Sequence, residues 1–424
     1  MKPYFIGLMS GTSLDGTDGV LVSFSPSSES LQVLAHAHRP FSEDLRQQVL
    51  QLNQPSDNEL HRAALCANAL SLNYAAVVKA LLLKSQVSAN QVQAIGCHGQ
   101  TVRHRPREFD GLGYTVQLNN PARLAELCGM DVVADFRTRD VAAGGQGAPL
   151  VPAFHRAVFG QQGQSVAVVN IGGMSNLTAI GPLVSYQGSN VACSLAIKPD
   201  GVVAPRRHSP SYDSSSRLAS GLDGGAIKRH LSPDTTPGDT LGFDCGPGNV
   251  LLDTWCKRHT EQAFDRDGAW AASGQPINAL LDQLLDEPFF RQPPPKSTGR
   301  DLFNQYWLEA KLSGFTAHAP QDIQATLAEL TAASCAQAIL EHTAPGRQVL
   351  VCGGGAFNTD LMQRISRRLG GPVASTDTKG LPADQVESAA FAWLAKACVL
   401  RQTGNLVSAT GALGPRVLGA IYPA

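Results

Sequence analysis

A chain of 424 residues is long enough to bury a large core and to divide into two domains. Its formal net charge of −1 and pI near 6.8 exclude a global electrostatic footprint for nucleic acid or an anionic membrane, so any basic binding site is local. With 43% hydrophobic and 16% charged residues it reads as a globular, enzyme-like protein and not as a disordered one.

Residues 4–10 and 19–24 predict paired strands around a glycine-rich turn, and Leu31–His38 a third strand. Apolar residues recur at helical spacing between Asn58 and Leu83, which predicts a long, largely buried helix. Val92–Cys97 is a short apolar strand ending in the polar cluster His98-Gly99-Gln100-Thr101. Pro121–Cys128 reads as a helix, and Asp131–Ala134 as a strand that runs into Asp135-Phe136-Arg137. Val166–Ile171 is a β-branched strand feeding Gly172-Gly173-Met174-Ser175-Asn176.

The stretch 186–240 then carries Ser, Pro, Gly and mixed charge with little periodicity, and is expected to be an inserted, mobile surface segment. Order returns at Leu241–Asn249, followed by a helix through Trp255. Asp322–His342 predicts a long helix, Gln348–Cys352 a strand, Thr359–Leu369 the next helix, and 384–401 a last helix opening with Asp384 and Glu387. Strands alternating with helices predict an α/β architecture, in which polar clusters at strand ends are the usual place for a site.

Nine cysteines form no CxxC motif and no Cys/His cluster, so neither a zinc site nor a disulfide framework is expected. Cys66, Cys97, Cys128, Cys335, Cys352 and Cys398 lie in apolar stretches, the pattern of reduced core residues in a reducing compartment. Gly11 interrupts the first apolar run, so no signal peptide is expected. No apolar run reads as reaching the length of a membrane span. Together these predict a soluble, cytoplasmic protein.

The segment Gly11-Thr12-Ser13-Leu14-Asp15-Gly16-Thr17-Asp18 follows an apolar strand with glycines, hydroxyls and two carboxylates three apart. Glycines let a backbone approach a polyphosphate, and hydroxyls donate to it. Asp15 and Asp18 would face Mg²⁺ or an attacking group, because bare carboxylates repel phosphates. An ordinary Gly/Asp hairpin has the same composition. Asn170–Asn176 and Val351–Asn358 repeat the strand-to-glycine pattern, and the three together point to a nucleotide clamped between two similar lobes. A doubly wound dehydrogenase is disfavoured, since Gly353-Gly354-Gly355 is not GxGxxG.

Asp244 stands between Gly242 and Gly246 at a strand end before a Pro-Gly turn. That position suits a general base, and it also suits an Asx-turn or a helix cap. Arg137 and Arg139, among Asp135 and Asp140, could grip a carboxylate or sugar hydroxyls, or form a structural ion-pair network. His98 reads as a structural, hydrogen-bonded residue.

The stretches IGLMSGTSLDGTDGVL, CHGQTVRHRP, QLNNPARLAELCGMDVVADFRTRDVAAGGQGAPLVP, VNIGGMSNLT, GFDCGPGN, CGGGAFN and LPADQVESAAFAWLA closely resemble the anhydro-N-acetylmuramic acid kinase family. The resemblance covers nearly the whole chain outside 186–240. It implies two actin-like, ribonuclease H-like lobes with a nucleotide cleft between them. Lobe I would take residues 1–130 plus 380–424 and lobe II residues 131–379, with the insert at about 186–240.

It also implies an ATP- and Mg²⁺-dependent kinase of cell-wall recycling that opens 1,6-anhydro-N-acetylmuramic acid with water and phosphorylates O6. Asp244 would be the base. Gly11, Thr12, Ser13, Leu14, Asp15, Gly16, Thr17, Asp18, Gly172, Gly173, Gly353, Gly354 and Asn358 would bind the nucleotide. Thr101, Arg137 and Glu387 would lie around the sugar or metal, and Asp15 would meet Mg²⁺ through the phosphates. The implied assembly is a homodimer with a small-molecule partner, neither nucleic acid nor membrane.

Two departures from the family pattern are the long connection between Asn176 and Asp244 and the cysteine at 245, where threonine is usual. The first could impair activity if it packs into the cleft; the second predicts a modest loss of rate. A kinase for an already open amino sugar and an inactive nucleotide-binding regulator stand as the other readings.

Overall fold

Along Tyr4–Met9 buried side chains alternate between two different clusters, Phe5 joining one and Ile6 and Leu8 the other, which is the period of a strand covered on both faces. The computed structural model describes residues 4–11, 13–24, 31–181 and 240–424. Thr12 and the expected insert up to residue 239 lie outside the described residues.

In chain order the first half comprises β1 (Tyr4–Met9), β2 (Gly16–Phe24), β3 (Leu31–Pro40), α1 (Glu43–Gln51), α2 (Glu59–Ser85), β4 (Val92–Cys97), the hairpin β5 (Gln100–Pro106) and β6 (Gly113–Leu118), α3 (Pro121–Cys128) and β7 (Val132–Ala134). Then come α4 (Thr138–Ala142), α5 (Val151–Phe159), β8 (Val166–Ile171), β9 (Met174–Ile180) and β10 (Thr240–Pro247). A helical stretch follows: α6 (Val250–Thr260), α7 (Ala269–Ala272), α8 (Asn278–Leu285), α9 (Pro288–Arg291), α10 (Gln305–Lys311) and α11 (Pro320–His342). The chain ends with β11 (Gln348–Cys352), α12 (Thr359–Leu369), β12 (Ala374–Ser375), α13 (Val386–Val399), α14 (Val407–Thr410) and β13 (Ala420–Tyr422).

The strands form two large sheets that repeat one topology. The first runs β13-β7-β4-β1-β2-β3 and the second β10-β9-β8-β11-β12. In each, an antiparallel three-strand meander (β1-β2-β3; β8-β9-β10) gains two parallel strands beside its first member (β4, β7; β11, β12). The glycine-rich turn between β1 and β2 and the Gly172-Gly173 turn between β8 and β9 therefore occupy equivalent places in the two repeats. This is the two-lobed α/β arrangement that the three glycine segments imply. β7 belongs to the first sheet, so the crossing to the second falls after Ala134, a few residues beyond the expected boundary at 130.

One hydrophobic cluster joins Phe5, Val20, Val22 and Ala94 of the first sheet to Val166, Val168 and Leu350 of the second through residues of α5 and α13. The outer face of the first sheet packs under α2 and α3, and the outer face of the second under α11 and α12. α13 lies so close to the first sheet that side chains are excluded beneath it. A Cβ on Gly7 would sit 1.8 Å from the Ser388 carbonyl oxygen, and one on Gly96 would sit 2.1 Å from that of Phe391. These two glycines set the height of α13, and with it of Glu387 in its first turn.

α2 corrects one expectation. At 27 residues, with a mean hydropathy of 1.4 over its most apolar window, it is long and apolar enough to cross a membrane by length and composition. Its physical role here is different: Cys66, Leu70, Tyr74, Val77, Val78 and Leu81 are buried in the core against the first sheet.

Candidate active site

The second sheet carries a row of polar residues across its strands. Asp244 on β10 pairs directly with Asn176 on β9, Asn176 with Asn170 on β8, and Asn170 with Cys352 on β11. Directly opposed residues point to the same side of a sheet, so the four stand in line. Asp244 is only 8% exposed. Its backbone N–H donates to the Lys296 carbonyl at 3.1 Å, and its Oδ2 accepts from the Thr298 N–H at 2.9 Å. No described residue donates to Oδ1. Burial pushes this carboxyl up to about 7, against the Thr298 amide and the Arg137 and Lys296 cations, which pull it down. The N-cap position of α6 is Asn249, so Asp244 does not cap that helix.

Arg137 follows β7 and is held at two points. Its Nε donates to His98 Nε2 at 3.0 Å and its Nη1 to the Gly147 carbonyl at 2.6 Å. Burial lowers its guanidinium below the ordinary value, while Glu387, Asp244 and Asp140 act to restore it. Burial likewise raises Glu387, opposed by Arg137 and by a hydrogen bond with Asn170, and reinforced by Asp18 and Asp15.

Asp140 itself is structural. It is fully buried, takes Asn405 Nδ2 and Thr410 Oγ1 at 2.7 Å each, and takes the Gly147 N–H at 2.8 Å. It thereby fixes the loop whose carbonyl holds Arg137.

The glycine segments differ in what they expose. Leu14 turns the first with φ of 58°, its side chain buried in the core, and its N–H donates to the Gly11 carbonyl at 3.3 Å. Ser13 Oγ donates to Asp15 Oδ1 at 2.7 Å on the exposed rim. Gly16 lies tight against β3, and Thr17 is buried with no partner for its hydroxyl among the described residues. Asp18 is engaged by His36 at 3.3 Å and His38 at 3.0 Å, which the sequence pattern did not suggest.

The carbonyls of Gly172 and Gly173 are taken by the backbone N–H groups of Gly248, Asn249 and Val250, pinning that turn to the start of α6. Gly353, at φ 78°, approaches Asn170 so closely that a Cβ would lie 2.5 Å from its Oδ1. That contact brings the third segment, with the exposed Gly354, to the polar row. Asn358 spends its Oδ1 on capping α12, accepting from the Leu361 N–H at 2.9 Å. Thr101 accepts from Gln117 at 3.3 Å and makes no hydrogen bond to another of these residues; its neighbour Gln100 reaches the Gly11 carbonyl at 3.2 Å.

No group of three His, Cys, Asp or Glu side chains among the described residues could hold a metal alone. A site for Mg²⁺ would therefore draw on phosphate oxygens, and the rim carboxylate of Asp15 is the donor such an ion accepts.

Sequence reasoning missed Thr298 and Lys296, which lie in a stretch without any motif and reach Asp244 only through the fold. His98, three residues before Thr101, is the hydrogen-bonded residue the sequence predicts, but its bond to Arg137 could not be read from the sequence.

A buried carboxylate of near-neutral pKa beside an arginine, where two topologically equivalent sheets present glycine turns, defines an α/β enzyme. The family model for anhydro-N-acetylmuramic acid kinase matches residues 3–220 and 212–424. A protein of that name from Albidiferax ferrireducens is 55% identical, with all of both chains covered. Namesakes from Variovorax paradoxus and Cupriavidus pinatubonensis are 52% and 49% identical, covering 99% of this chain and 99% and 98% of their own. The chain belongs to the anhydro-N-acetylmuramic acid kinase family and is a phosphotransferase.

Proposed function

We propose that the protein uses ATP and water to open 1,6-anhydro-N-acetylmuramic acid and phosphorylate the freed O6, giving N-acetylmuramic acid 6-phosphate and ADP in cell-wall recycling. Asp244 takes a proton from water as the water oxygen bonds to the anomeric carbon. The C1–O6 bond breaks, and O6 attacks the γ-phosphorus as ADP departs. One observation carries this reading: Asp244 is buried with Oδ2 fixed by Thr298 and Oδ1 without a donor among the described residues, at a pKa near neutrality.

Arg137, Glu387 and Thr101 orient the sugar. Gly11–Asp18, Gly172, Gly173, Gly353, Gly354 and Asn358 surround the nucleotide, in a cleft between two actin-like lobes, the first of residues up to about 134 with 380–424 and the second of the residues between. Asp15 would hold Mg²⁺ through the phosphates, and the ion would supply charge neutralisation there. We place the protein in the cytoplasm as a homodimer; the eight described cysteines are all free, which supports a reducing location.

A coupled ADP-release assay in ¹⁸O-labelled water, with the anhydro sugar against ordinary hexoses, tests the reading. ADP release confined to the anhydro sugar, with solvent oxygen at the anomeric carbon of the first product, is expected. Release with an open-ring amino sugar and no label would assign an ordinary sugar kinase instead. ATP binding without sugar-dependent ADP release would leave a regulator.

A further inference from the structure

His98 is 3% exposed at the end of β4, and its ring lies 4.7 Å from that of Phe391 on α13. Both ring nitrogens are committed. Arg137 Nε–H can only donate, so the His98 Nε2 that receives it at 3.0 Å carries no proton. The proton is therefore on Nδ1, which donates to the Gly99 carbonyl at 2.7 Å. Burial and the Arg137 charge both hold the imidazole well below its usual pKa, so this one tautomer persists across neutral pH. With Nη1 on Gly147 as well, Arg137 is held from two directions. Glu387 and Asp244 lie near enough for their charges to act on its guanidinium.

We propose that His98 is a positioning residue for the phosphotransfer reaction, acting as a permanently neutral acceptor that aims Arg137 at Asp244 and Glu387. The proposal rests on the functional reading above. Its logic is geometric: a protonated or absent acceptor would leave Arg137 tethered at Gly147 alone and free to rotate. The charged and titratable groups around the pair are Arg137 and His104 for the imidazole, Glu387, Asp244 and Asp140 for the guanidinium, and Lys296 beside Asp244.

His98→Asn keeps a group in place of Nδ1 but none in place of Nε2, whereas His98→Gln keeps an acceptor where Arg137 needs it. In the assay above, His98→Asn should lose about 10- to 100-fold in kcat/KM, the scale of a small misplacement in a site. Its acidic pH limb should also move upward, because Arg137 no longer lowers Asp244. His98→Gln should recover most of the rate and the wild-type limb. Equal losses in both variants, or an unshifted limb in His98→Asn, would overturn the proposal.

If His98→Asn does not fold, the ring itself decides, through its ¹⁵N spectrum in the wild type and in Arg137→Lys. ¹⁵N spectra of the imidazole separate this from failure of the functional reading. An Nδ1–H tautomer that changes in Arg137→Lys supports the pairing even in a protein that releases no ADP. A ring unaffected by Arg137→Lys refutes the pairing whatever the activity.

Discussion

Asp244 and Thr298 lie 54 residues apart in sequence and are joined by a 2.9 Å hydrogen bond from the Thr298 amide to the Asp244 carboxylate. Asp244→Asn keeps the side chain's size and an oxygen to accept from Thr298 but loses the base. ADP release should fall by about 10²- to 10⁴-fold while ATP binding and folding persist. Retention of a tenth or more of the wild-type rate would remove Asp244 from the mechanism.

The same substitution should raise stability at alkaline pH. The folded pKa, about 7, lies above the ordinary value of 3.8, so the folded state holds this proton more tightly than the unfolded one. Stability from this group is present at low pH and is lost as pH rises from about 4 to 7, at up to about 1.4 kcal/mol per pH unit. Asp244→Asn should therefore melt above wild type at pH 8 and level with it at pH 4 by calorimetry. Coincident melting at both values would mean the carboxyl is not shifted.

For catalysis the base must be ionised, so kcat/KM should climb with pH through an acidic limb near 7 and flatten above it. A limb near 4 in the free enzyme's profile would contradict the buried environment of Asp244.

Buried histidines act at the opposite end of the scale. His155 is fully buried with Nδ1 on Thr178 Oγ1 at 2.8 Å, and burial lowers it to about 3; His104 is lowered to about 4, again chiefly by burial. The unfolded chain protonates such groups first, so stability drops as pH falls from 6.5 towards 4, by about 1.4 kcal/mol per unit for each histidine. His155→Asn, which keeps a partner for Thr178, should flatten the slope of unfolding free energy between pH 6.5 and 4.5 by one histidine's share. Parallel slopes would place the protonation elsewhere.

Gly7→Ala should be costly because the atom its Cβ meets is backbone, the Ser388 oxygen at 1.8 Å, and cannot swing aside. A loss on the order of 1–3 kcal/mol or more is expected, with reduced activity as Glu387 shifts with α13. Gly371→Ala, with open space around its Cβ, is the control and should leave melting temperature and rate unchanged.

Elements with a strong local signature were legible before the fold was known. Gln348–Cys352 and Thr359–Leu369 carry an apolar run and an Asn cap, and both occur with those bounds. The short helices between Ala269 and Lys311 were not legible, because their packing on α11 and not their periodicity stabilises them. Asp244, Arg137 and the glycine turns were visible because motifs name them. Thr298, Lys296 and Gly147 act through backbone atoms that any residue type supplies, so no side-chain pattern could announce them. Asp18 looked available for a ligand, and only the register of β2 with β3 reveals His36 and His38 beside it.

Ile180 and Thr240 are direct partners at the start of β10, which is the edge strand of the second sheet. The chain thus leaves and rejoins the sheet at neighbouring points roughly 5 Å apart, the spacing of paired residues. Such a junction is a splice point. What is threaded through it can be shortened to a hairpin turn, or exchanged for a reporter domain with adjacent termini, while the register that places Asp244 opposite Asn176 is kept by the strands on either side.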